Sequence, residues 1–233
     1  MDKGKVFLGL CIFLGLTVLG SMLPKMAAEL KSYDRIVSVK GLCEKEVPAD
    51  KVIWPLSYKV VGDDINKVYS QINTRNTIIR NFLSGGGIQA DEITVSVPSV
   101  SDKFAQEYGS NDRLYRYVAT STITVCTSNV SKVLDLMSRQ SELLALDIVL
   151  SNDWDSQPQF NFEGLNDIKP EMIEEATHNA REVAQKFAKD SGSKLGKIKD
   201  ASQGTFSIES RDSNTPHIKK VRVVTYVTYY LKK

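Results

Sequence analysis

Thiols, imidazoles and clustered carboxylates are the groups that would have to carry chemistry, and the chain has only three cysteines and two histidines among 233 residues. Cys11 lies inside an apolar run, which leaves Cys43 and Cys126 as a pair that could cycle through a disulfide in an oxidising compartment. Both fall in strand-like segments. Alternation groups Cys43 with Val37 and Val39, and Cys126 with Thr120, Thr122 and Thr124. Thiols on opposite strand faces cannot reach disulfide geometry, so the two are expected to stay unjoined. His178 and His217 each lack a second histidine or cysteine at ligand spacing and read as surface side chains. Asp153 and Asp155 flank Trp154, and Glu171, Glu174 and Glu175 crowd a helix start. Each set could hold a cation weakly, but loop solvation and complement to the helix dipole account for them. The run Gly192-Ser193-Lys194-Leu195-Gly196-Lys197 is one residue short of a phosphate loop and follows a helix instead of a strand. Neither Gly-x-Ser-x-Gly nor Gly-x-Gly-x-x-Gly occurs. The sequence nominates no catalytic residue, no cofactor-binding residue, no metal ligand and no cofactor.

The composition excludes more than it suggests. With 42% hydrophobic and 25% charged residues the chain is an ordinary globular protein, not a disordered, collagenous or polytopic membrane one. Thirty basic against 28 acidic residues give a formal charge of +2, so no net basic field calls for nucleic acid. The run Lys219-Lys220-Val221-Arg222 reads as a solvated strand face.

The elements that must position these residues follow from periodicity. Arg35–Val47 and Val52–Val61 read as strands joined by Pro48-Ala49-Asp50 in a hairpin. After Gly62-Asp63-Asp64, Ile65, Val68, Tyr69, Ile72, Ile79 and Phe82 recur at helical spacing up to Gly85-Gly86-Gly87, with the polar Asn76 on the apolar face. Strands are expected at 92–100 and 113–127, separated by a polar loop, then a helix at 130–142 and a strand start at 147–150. The segment 153–165 reads as irregular or weakly extended. Pro170 suits the first turn of a helix running to Ser191, whose inward stripe is read as Met172, Ile173, Ala176, Ala180, Val183, Ala184, Phe187 and Ala188. Strands at 194–208 and 217–231 close the chain. Hairpins interleaved with helices make this an α+β fold with mainly antiparallel sheet.

From Val6 to Leu23 there are eighteen residues without a charge. That is longer than the roughly 7–15 apolar residues of a signal peptide and within the roughly 17–25 of a spanning helix. The expected layout is a cytoplasmic tail at 1–5, a transmembrane anchor at 6–23, a connector at 24–34 and an extracytoplasmic domain at 35–233. A cleaved leader with Val18-Leu19-Gly20 as its processing site is the competing reading. Lys3 and Lys5 before the span orient the amino terminus towards the cytoplasm.

Several stretches resemble one family. Val39-Lys40-Gly41-Leu42 with Glu44-Lys45-Glu46-Val47-Pro48-Ala49-Asp50 and Ile53-Trp54-Pro55 resembles the opening of SIMPL-domain proteins. The helix carrying Glu175-Ala176, Asn179-Ala180-Arg181, Ala184 and Phe187-Ala188, running on to Ser193-Lys194-Leu195-Gly196, is similar as well. So is the ending, with Gln203-Gly204, Phe206-Ser207-Ile208, Val221, Val223 and Val227. The resemblance implies a bacterial envelope protein, and so an inner-membrane anchor with the globular part in the periplasm. It implies relatives linked to oxidative stress defence and relatives that build large rings, and it carries over no catalytic residue. The expected function is a membrane-anchored, non-enzymatic module that self-assembles as a homo-oligomer or serves interactions, without nucleic acid. The alternative is a small-molecule- or metal-dependent envelope enzyme built from scattered acids and histidines.

Overall fold

The computed structural model describes residues 3–32, 35–105 and 114–232, with the side chains of Lys3, Lys5, Val6, Leu10 and residues 23–32 outside that description. Helix α1 (Lys3–Ser32) opens the chain. Among the described residues no helix is long and apolar enough to cross a membrane. The expected span falls in part on Val6, Leu10 and Leu23, whose side chains lie outside them. Beyond α1 the fold is α+β with antiparallel sheets, and the chain divides into two compact units.

The unit made of residues 46–166 and 208–220 is built on a five-stranded sheet. Its centre pairs β2 (Lys51–Gly62) with β5 (Tyr117–Thr127) antiparallel, Leu56 opposite Ile123. Two short strands, β3 (Ile93–Val95) and β4 (Ser99–Asp102), follow one another along β5, and β6 (Gln159–Asn161) borders β2. The single strand expected at 92–100 is therefore two, and residues 106–113 of the expected polar loop and following strand lie outside the described residues. Inward parity puts Val52, Trp54, Leu56, Tyr58 and Val60 of β2 in one core with Ala119, Ile123 and Val125 of β5. Helix α2 (Ile65–Gly85) closes over it with Val68, Ile72, Ile79 and Leu83, and begins on Asp64, whose carboxylate accepts from the Asn66 and Lys67 amides. The expected helix 130–142 is broken into α3 (Val130–Ser138) and α4 (Ser141–Ala145), and the expected strand 147–150 reduces to a bridge between Leu150 and Tyr58.

Asn76, the polar residue on the apolar face of α2, has partners. Its Oδ1 accepts from the Tyr58 hydroxyl at 2.8 Å and from Ser121 Oγ at 3.1 Å, and the same tyrosine hydroxyl lies 3.0 Å from the Ile72 carbonyl. Burial raises the Tyr58 hydroxyl's pKa, so it stays a donor.

The other unit takes residues 1–45, 167–207 and 221–233. Its sheet has the order β1 (Ile36–Pro48), β9 (Ile218–Lys232), β7 (Lys194–Gln203), with β8 (Ser207–Ser210) also on β9. The Leu231 amide donates to the Arg35 carbonyl, Ser38 meets Thr228 at 3.0 Å and Arg222 meets Glu44 at 3.5 Å, which sets β1 antiparallel to β9. The hairpin expected between β1 and β2 is not formed, because the two strands belong to different sheets. Pro48-Ala49-Asp50 passes the chain from one sheet to the other: the Ala49 amide donates to the His217 carbonyl, and the Asp50 carboxylate accepts from the Glu163 and Gly164 amides.

Helix α5 (Leu165–Asp190) covers one face of this sheet. It starts five residues before Pro170, so Glu171, Glu174 and Glu175 sit beyond the first turn, where the dipole is felt, and Asp167 occupies that turn. Its buried stripe is Met172, Ala176, Ala180, Ala184 and Ala188. Ile173 is only half-buried, while Val183 and Phe187 are exposed, the latter by 57%; they flank the stripe instead of belonging to it. Gly192, at φ +64, ends the helix, with the Ser193 amide donating to the Ala188 carbonyl.

Candidate functional site

In the unit holding β1, β9, β7 and α5, reactive and charged side chains gather where α5 crosses β1. Gly41 makes it possible. A Cβ at that position would run into the Ala176 carbonyl oxygen and lie 2.6 Å from the Ala180 nitrogen, so only glycine lets strand and helix backbones come this close. Asn179 on α5 donates its amide to the Leu42 carbonyl at 2.9 Å. Two residues along, Cys43 is 1% exposed and donates its thiol to Glu175 Oε2 at 3.1 Å. Beside it, Lys45 Nζ pairs with Glu171 Oε2 at 2.7 Å. Two of the three glutamates expected to complement a helix dipole, Glu171 and Glu175, are thus partners of β1.

Burial, followed by the hydrogen bond to Glu175 and that carboxylate's charge, pushes the Cys43 thiol up to about 11. The thiolate is the reactive form, so at neutral pH this cysteine is held protonated and unreactive. Because the folded value lies above the ordinary 9.0, the stabilisation is full below pH 9 and is lost as pH rises from 9 to 11. Urea unfolding at pH 8 and pH 11 should show the wild type losing on the order of 2 kcal/mol more than Cys43→Ala. A parallel fall in both proteins would mean that the thiol does not titrate this way.

All three cysteines are free. Cys43 is buried as its parity implies and Cys126 is exposed, but the two lie in different sheets, so the parity comparison assumed one sheet too few. His178 is exposed on α5, its Nδ1 3.9 Å from Glu182, in an open depression with Arg181 and Gln185. His217 packs edge-on against Phe160. Asp153 meets Lys59 at 3.3 Å. Among the described residues, no three His, Cys, Asp or Glu side chains are grouped to hold a metal ion.

A family model described as SIMPL, a protein of unknown function (DUF541), matches residues 37–228. The chain belongs to the SIMPL family. No curated protein matches it. The matched stretch of this SIMPL protein contains every contact of the Cys43 cluster, whereas α1 precedes it. Two of its inward groups escaped the sequence reading. Lys219 is buried, bonded to Ser210 Oγ at 2.9 Å, with its pKa lowered by burial. Thr225 is buried with no partner for its hydroxyl among the described residues. The available signal was parity, since both share the register of Val221 and Val223.

Proposed function

We propose that this SIMPL protein is held to the bacterial inner membrane by residues 6–23 and presents its folded part in the periplasm as a non-enzymatic module that self-assembles or receives partners. The observation that carries the reading is the surface of α1. Phe7, Leu8, Phe13, Leu16 and Leu19 are each at least 60% exposed, Ile12, Leu14, Val18 and Met22 are exposed with them, and the two hydroxyls of the stretch, Thr17 and Ser21, donate to the helix's own carbonyls. A helix with apolar side chains on every side and its hydroxyls satisfied internally suits an apolar surrounding, and eighteen residues at 1.5 Å each give about 27 Å, against a hydrocarbon core of about 30 Å. Assembly is supported by apolar side chains on the unit built around β2 and β5. Trp154, the kind of side chain that anchors protein contacts, is 90% exposed, and Val97, Leu114, Leu144 and Val149 are exposed on the same unit. A link to envelope or oxidative stress defence rests on the family resemblance alone.

Alkaline carbonate extraction of membranes tests the anchor. The full chain should stay in the pellet, and a chain lacking residues 3–23 should appear in the supernatant. Recovery of the full chain in the supernatant would overturn the reading. Light scattering of the detergent-solubilised full chain tests assembly, where a single monomer mass at every concentration would remove it.

A further inference from the structure

The fold gathers cations that the sequence scatters. Lys194 lies opposite Lys232 across β7 and β9, and Leu195 lies opposite Leu231, whose amide donates to the Arg35 carbonyl. Arg35, Lys194 and Lys232 therefore meet at one end of the sheet, and Lys197 and Lys199 follow along β7. All five are exposed, and among the described residues none of them makes an ion pair. Arg35 instead donates to Ser193 Oγ at 3.3 Å, and the Lys199 ammonium lies 5.7 Å from the Tyr230 ring centre. The edge strand β7 thus presents three exposed ammonium groups, Lys194, Lys197 and Lys199, ahead of Asp200, with Ile36 and Ile198 exposed beside them.

We infer that this end of the sheet is a docking surface for anionic phospholipid headgroups, an inference that rests on the membrane-anchor reading. The occupant follows from continuity and charge. The end carrying the five cations is the end at which the chain arrives from α1. Helix α1 continues nine residues past Leu23, about 14 Å, and the three Cα steps from Ser32 to Arg35 can return up to about 11 Å of that. That reach lets the patch come within the headgroup layer or about one Debye length of it. Clustered Lys and Arg next to a span bind acidic lipid, and tethering raises their effective concentration at that surface. Tyr230 and Ile36 suit the interface, where amphipathic rings and short apolar side chains settle.

The test is lysine acetylation footprinting of the full chain in nanodiscs, read by mass spectrometry residue by residue. With phosphatidylglycerol present, labelling of Lys194, Lys197, Lys199 and Lys232 should fall about threefold or more relative to pure phosphatidylcholine, and should recover in 1 M salt. Lys169, near the start of α5 and about twenty residues along that helix from the patch, should label equally in both. Equal labelling of the four lysines in both lipids, with the chain co-eluting with the disc, would overturn the headgroup surface and leave the anchor standing. Protection by soluble polyphosphate but not by phosphatidylglycerol would likewise overturn it. A chain that does not co-elute with the disc would overturn anchor and surface together.

Discussion

Gly41→Ala should be among the most damaging single substitutions in the unit built on β1, β9, β7 and α5, costing about 3 kcal/mol or more in chemical denaturation. A methyl group there would collide with the Ala176 carbonyl and the Ala180 nitrogen, both helix backbone atoms that cannot swing aside as a side-chain tip would. Relief requires α5 to lift from β1, which would break the Asn179 bond to Leu42 and the Cys43 bond to Glu175 and open space along the alanine stripe. Ala180→Leu attacks the same contact from the helix side and should cost roughly 1–3 kcal/mol. Two controls fix the interpretation. His178→Ala, on the exposed face, should change stability by less than about 0.5 kcal/mol. Gly85→Ala, with nothing within 4 Å of the added carbon, should be neutral or slightly stabilising. A Gly41→Ala protein as stable as wild type would show that strand and helix do not approach as described.

The second large effect belongs to the other unit. Tyr58→Ala should cost about 3–5 kcal/mol, because a fully buried ring leaves a cavity between β2 and α2. Tyr58→Phe separates packing from polarity. It keeps the ring but removes a donor to the Ile72 carbonyl and Asn76 Oδ1, and should cost about 1–2 kcal/mol. Replacing Asn76 with Leu on the Tyr58→Phe background should recover part of that loss, since an amide whose acceptor has lost one of its donors is worse than none. Equal losses for the alanine and phenylalanine variants would mean that the ring contributes nothing beyond its hydroxyl.

What could be read from residues alone was whatever depends on period. The alternation of β5, the alanine spacing of α5 and the close of α5 at Gly192 are local patterns, and each has its place in the fold. Asn76 on an apolar helix face already called for buried partners, although Tyr58 and Ser121 could not be named without the sheet. Two of the misreadings come from partners distant in sequence and one from a weak local signal. Pro48-Ala49-Asp50 has the chemistry of a tight turn, and nothing near it says that β1's partner is β9, at the far end of the chain. Pro170 drew the expected start of α5 to itself, because the turn before it, Leu165–Lys169, carries no strong cap. Glu171 and Glu175 looked like dipole complements for as long as Lys45 and Cys43, more than 120 residues earlier, were not known to face them.

The three-segment make-up of the unit containing β1 sets an order of events during synthesis. Arg35 bonds to Leu231, so β1 leaves the ribosome long before the strand it must pair with exists. At about 5–20 residues per second, that interval is roughly 10–40 s. The β2–β5 pairing, by contrast, becomes possible once Thr127 has emerged, and can bury its own core in the meantime. During the wait β1 carries alternate buried-type residues along thirteen positions with no neighbour, a long unpaired edge of the kind that invites pairing with other chains. The nascent chain is therefore most exposed to misassembly before its last strand is made, and truncations that remove β9 should aggregate where truncations of α1 do not.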